Sequence, residues 1–100
     1  MITIHVQKDN KTYKKISILG HAMYADRGKD IVCSSVSSIV ITTVNGILTI
    51  NQGSLSYMVG KKGMKIDIKS EDDTTQLLIY NMVNLLKDLE KQYPENVEVK

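Results

Sequence analysis

Residues 32–48 constrain the fold most. Val32, Val36, Ile39, Val40, Val44, Ile47 and Leu48 recur at three- and four-residue spacing, the period of an amphipathic helix. Most of them are β-branched, which lowers intrinsic helix propensity. Such a helix has to be held by packing, so it is expected at the centre of the fold. Ser34, Ser35, Ser37 and Ser38 on the same segment leave room for another backbone to come close.

The flanking segments supply what this helix packs on. Ile2, Ile4 and Val6 alternate with Thr3, His5 and Gln7, the period of a half-buried strand. Asp9-Asn10 is a turn signal. Ile16 and Ile18 alternate with Ser17 and Leu19, a second strand that pairs with the first as a hairpin. Asn51 to Ser54, with Gly53, ends the long helix. Leu55, Tyr57 and Val59 alternate with Ser56 and Met58 as a third strand. After a turn at Gly60–Gly63, Met64, Ile66 and Ile68 alternate with Lys65, Asp67 and Lys69, a fourth strand with one wet face. Asp73-Thr74-Thr75-Gln76 has the form of a capping box. Leu78, Met82, Leu85, Leu86 and Leu89 follow on one helical face, Pro94 stops that helix, and Val97 and Val99 fit a last short strand. The order predicts an α+β fold. It is a two-layer sandwich, a mainly antiparallel sheet with two helices on one face, as a single domain over residues 1–100.

Composition narrows the function. One hundred residues bury one modest core, so a site is expected in a surface groove or at a subunit interface. With no Trp and no Phe, packing falls to Ile, Val, Leu and Met. The net charge of +2, from 13 basic and 11 acidic residues, is too small to argue for nucleic acid. The pairs Lys14-Lys15 and Lys61-Lys62 read as solvated surface, and no direct nucleic-acid binding is expected. No basic stretch followed by an apolar one opens the chain, so no secretory signal is expected. Ser, Thr and Asn break the apolar runs, and no membrane span or membrane partner is expected. A lone cysteine fits a reducing, cytoplasmic setting.

That cysteine lies in the segment from Gly20 to Ser35, GHAMYADRGKDIVCSS. Asp30 is a good N-cap for the long helix, which puts Cys33 at its third position. Helix N-termini carry unpaired N–H groups and the positive end of the macrodipole, and both favour thiolate over thiol. His21 ends the second strand. If the intervening loop folds back, imidazole and thiol form a nucleophile–base pair, and the N–H groups near Cys33 receive a developing oxyanion. The plainer readings are a small buried hydrophobe for Cys33 and a polar loop residue for His21. His5 falls on the wet face of the first strand. One cysteine and two histidines fall short of a zinc set, so no metal and no cofactor is expected.

G-H-A, a loop, then G-x-D-I-V-C-S leading into a Ser/Val-rich helix resembles the ribosomal-processing cysteine protease family. The matching residues are Gly20, His21, Ala22, Gly28, Asp30, Ile31, Val32, Cys33, Val36 and Ser37. The likeness extends to the opening M-I-T-I strand, to Asn45-Gly46, and to Glu90, Tyr93, Glu95 and Asn96 near the C-terminus. Ser34 stands where Ala is more usual. The resemblance implies a homodimeric endopeptidase that removes a short N-terminal extension from a large-subunit ribosomal protein, cutting after a hydrophobic, Phe-rich stretch. It assigns Cys33 as nucleophile and His21 as general base. Asp30 is the third motif acid, a helix cap on the reading above, with an orienting role toward His21 left open. Ala22 to Lys29 becomes a cover that orders over substrate, with Gly28 giving backbone freedom and Met23 and Tyr24 closing on an apolar side chain. The competing reading is a non-catalytic, ribosome-associated binding module with a structural Cys33.

Overall fold

The structure is a computed structural model, and it describes residues 1–20 and 31–100. Its elements are β1 (Ile2–Asp9), β2 (Thr12–Leu19), α1 (Ile31–Ile50), β3 (Leu55–Gly60), β4 (Gly63–Ile68), α2 (Asp73–Gln92) and β5 (Val97–Val99). The strands form one sheet in the order β3-β4-β2-β1-β5. All neighbours are antiparallel except β5, which joins β1 in parallel. Both helices lie against one face, the α+β sandwich expected from the element order. Asn10 turns the β1–β2 hairpin with φ 59°, a conformation Asn tolerates.

Period-two burial places Ile2, Ile4, Ile16, Ile18, Ile66 and Ile68 under the helices, while His5, Lys15, Lys65 and Asp67 face out. From α1 come Cys33, Val36, Val40, Val44 and Ile47. From α2 come Ile79, Met82, Val83, Leu86 and Leu89, and together these residues fill one core. α1 is uncharged and β-branched, so it is held by this packing rather than by propensity. Its hydroxyls turn back onto its own carbonyls: Ser35, Thr43 and Thr49 donate to Ile31, Ile39 and Asn45 at 2.7–2.8 Å. The interrupted apolar run read from the sequence is in fact long and apolar enough to cross a membrane, with a mean hydropathy of 1.8. Here the same residues serve as a core helix on a sheet.

Three sequence expectations are corrected. The N-cap of α2 is Asp72, not Asp73: the Asp72 carboxylate accepts the Thr75 N–H at 3.2 Å. Gln76 does not close a capping box. Its side-chain oxygen accepts the Tyr13 N–H at 2.8 Å, and its amide donates to the carbonyls of Tyr13 (3.1 Å) and Ser70 (3.0 Å). β4 pairs β2 only from Lys15 onward, so the backbone of Tyr13 is open on that side and takes the Gln76 side chain instead. Leu85 is 43% exposed, because the buried stripe runs through Ile79, Val83 and Leu86 and leaves Leu85 beside it.

Candidate active site

Cys33 is the third residue of α1, in its first turn, and is 3% exposed. It lies in a groove of about 190 Å³ between α1 and one end of the sheet. α1 forms one wall with Cys33, Val36, Ser37, Val40 and Ile41, spaced three and four residues apart on one side of the helix. The start of β1 (Ile2), the end of β2 (Ile18), the end of β3 (Val59, Gly60) and the start of β4 (Gly63, Met64) complete it. Ser37 and the Cys33 sulfur are the polar side-chain groups on an otherwise apolar lining. The groove therefore suits apolar side chains beside the sulfur. The helix end supplies N–H groups whose partial positive charge favours an anion beside it.

Two glycines let the strand ends meet there. Gly63 pairs with Leu19 at φ +139°, and a Cβ on it would run into the Ile18 carbonyl. Gly20 leaves β2 at φ +78°, and a Cβ on it would run into the Met1 carbonyl. Gly20 thus lets the end of β2 lie close against the backbone of Met1. The sequence marked Gly63 only as a turn residue. Its contact with Ile18 joins segments 45 residues apart, and no local pattern signals that. Ile41, Val59 and Met64 were likewise not singled out, since nothing local indicates which strand ends converge on Cys33.

Of the residues singled out from the sequence, the structure places Cys33 and Gly20. His21, Met23, Tyr24, Gly28 and Asp30 lie outside the described residues, and so does the rest of the Ala22–Lys29 segment. His5 is exposed on β1, away from the groove, as its alternation indicated. Among the described residues no three His, Cys, Asp or Glu side chains come together as a metal site.

Comparison with known proteins gives matches over nearly the whole chain. A family model described as cysteine protease Prp aligns with residues 1–98. The ribosomal processing cysteine protease Prp of Staphylococcus aureus is 28% identical over 103 residues, covering 99% of this chain and 97% of that one. Among solved structures, SMU.848 from Streptococcus mutans superimposes with a TM-score of 0.88 at 28% identity, covering 100% of this chain and 92% of the other. The S. aureus protease in complex with a substrate peptide gives a TM-score of 0.89 at 24% identity, over 100% and 98% of the two chains, which establishes a shared fold.

Proposed function

The chain belongs to the family of Prp cysteine proteases, and from that premise we propose that it removes the N-terminal extension of a large-subunit ribosomal protein, with Cys33 as nucleophile and His21 as general base. The observation that carries this reading is the position of Cys33, the chain's one cysteine, in the first turn of α1 at an apolar groove. The relative from S. aureus is named for ribosomal processing. The groove's lining suits an apolar stretch before the cut.

In this mechanism the Cys33 thiolate attacks the scissile carbonyl carbon, and the carbonyl electrons move onto oxygen. The N–H groups at the start of α1 are suited to hold that oxyanion. As the tetrahedral species collapses, the C–N bond breaks and His21 delivers its proton to the leaving amine. His21 then takes a proton from water, and the hydroxide attacks the thioester. The product acid leaves and Cys33 is restored. Asp30 caps the helix that carries Cys33, and Met23, Tyr24 and Gly28 belong to a segment that closes over bound substrate. The active form is a cytoplasmic homodimer. Support for the dimer comes from α1, which is uncharged and leaves Ile31 and Ile50 exposed away from the groove lining. A non-catalytic module with a structural cysteine gives way, because the family is one of proteases.

Alkylation by iodoacetamide at neutral pH tests the dyad. Cys33 is expected to react much faster than free cysteine and to slow markedly in His21→Ala. A rate no faster than that of free cysteine, unchanged by the substitution, would sink the Cys33–His21 assignment.

A further inference from the structure

The two edges of the sheet are built differently. An edge strand offers unpaired N–H and C=O groups, and proteins usually protect it by shortness, charge, proline or a bulge. β5 follows that rule. It has three residues with Glu98 at their centre, and Lys100 pairs with Glu98 at 3.5 Å. β3 does not. Leu55–Gly60 is six residues long, with no charged side chain and no proline. Its register with β4 runs unbroken from Leu55↔Ile68 to Gly60↔Gly63, and among the described residues no strand lies on its other side.

This bare edge opens into the groove that holds Cys33, through Val59 and Gly60. Tyr57 stands opposite the core residue Ile66, and Val59 opposite Met64, so both side chains point to the helix side of the sheet. They stay 48% and 65% exposed there, and Val59 shares the groove with Ile41, which is 46% exposed. The row lies on the helix side of the sheet but stays open to a ligand. Unfilled backbone groups beside an apolar row are the receiving half of β-strand addition, in which main-chain hydrogen bonds give affinity and alternate side chains give specificity.

We propose that the peptide substrate adds to the free edge of β3 as a sixth strand, setting alternate side chains on Ile41, Tyr57 and Val59 and leading the scissile bond to Cys33. The inference rests on the proteolytic reading above. Continuity of the edge with the groove favours a single extended peptide over the β3 edge of a second copy.

The test uses a synthetic peptide spanning the extension and cut site of the ribosomal protein, together with analogues N-methylated at one backbone amide each. Steady-state cleavage is measured for the wild type, Tyr57→Lys, Val59→Lys and, as a control on α2, Leu77→Lys. A strand added to an edge turns every second N–H toward its neighbour, so N-methylation is expected to raise KM at alternate positions only. Tyr57→Lys and Val59→Lys are expected to raise KM roughly tenfold, equivalent to ~1.4 kcal/mol, with kcat nearly kept. Leu77→Lys should behave as wild type. Cleavage that continues with KM indifferent to the β3 variants, and with no alternation along the peptide, overturns strand addition while leaving the protease reading intact. No cleavage of the unmodified peptide by the wild type removes both. β3 amide protection that rises with protein concentration in the absence of peptide assigns the edge to a second copy, and also overturns the proposal.

Discussion

Gln76 makes three hydrogen bonds, two that join α2 to the backbone of Tyr13 on β2 and one to the Ser70 carbonyl ahead of the helix. Gln76→Ala leaves those half-buried groups without their partner and is expected to cost about 1–3 kcal/mol in urea unfolding; a change near zero would show that water replaces the side chain. Asp72 works by charge. Hydrogen bonds from the Ser70 hydroxyl, and then from Thr75, hold its carboxyl below the ordinary value of 3.8. A lowered folded-state pKa stabilises the fold above the unfolded value, and that contribution is lost as pH falls through the folded one. The gap in melting temperature between wild type and Asp72→Ala should therefore be full at pH 7 and shrink as pH drops below 3.8. A gap independent of pH would contradict this. The sequence showed that a cap stands here but misplaced it by one residue. Asp72 and Asp73 are equivalent by pattern, and only the path of the chain after Ser70 separates them. Cys33 at the third position of its helix was legible, because apolar spacing and a short polar lead-in locate a helix start.

Helix faces and strand ends were legible to different degrees. On α2 the periodicity found the buried side through Met82, Leu86 and Leu89 but counted Leu85 with it. Leu86→Ala is expected to cost about 2–5 kcal/mol by leaving a cavity. Leu85→Ala should stay within about 0.5 kcal/mol, as exposed sites do; equal costs would place both on the core side. The alternation in β3 was also correct, since Leu55, Tyr57 and Val59 do share a face. Alternation identifies the face of a strand but not whether a helix covers it, so the exposure of Tyr57 and Val59 followed only from the position of β3 at the edge. Gly63 belongs to the same class of long-range fact. Gly63→Ala forces a Cβ against the Ile18 carbonyl at a φ of +139°. It is expected to cost about 1–3 kcal/mol and to lower peptide cleavage by deforming the groove floor. A variant with wild-type stability and rate would remove Gly63 from the site.

Strand–strand–helix, repeated, was readable along the chain, but the sheet order β3-β4-β2-β1-β5 was not. It depends on β4 pairing with β2 across α1, and on β5 returning to β1, where Ile2 donates to the Asn96 carbonyl at 2.8 Å. That order is what gathers the ends of four strands beside Cys33. The loop motif named the residues proposed for the chemistry, while the groove at Cys33 is a property of the assembled sheet and helix. Proteolysis by this arrangement has a direct readout. The purified chain is incubated with a large-subunit ribosomal protein carrying its N-terminal extension, and the new N-terminus is read by mass spectrometry. The wild type is expected to release the extension at one site following an apolar stretch, and Cys33→Ala to release none while keeping the wild-type melting curve. Release by Cys33→Ala at the wild-type rate, or no release by a folded wild type, would contradict a Cys33-dependent ribosomal-protein protease.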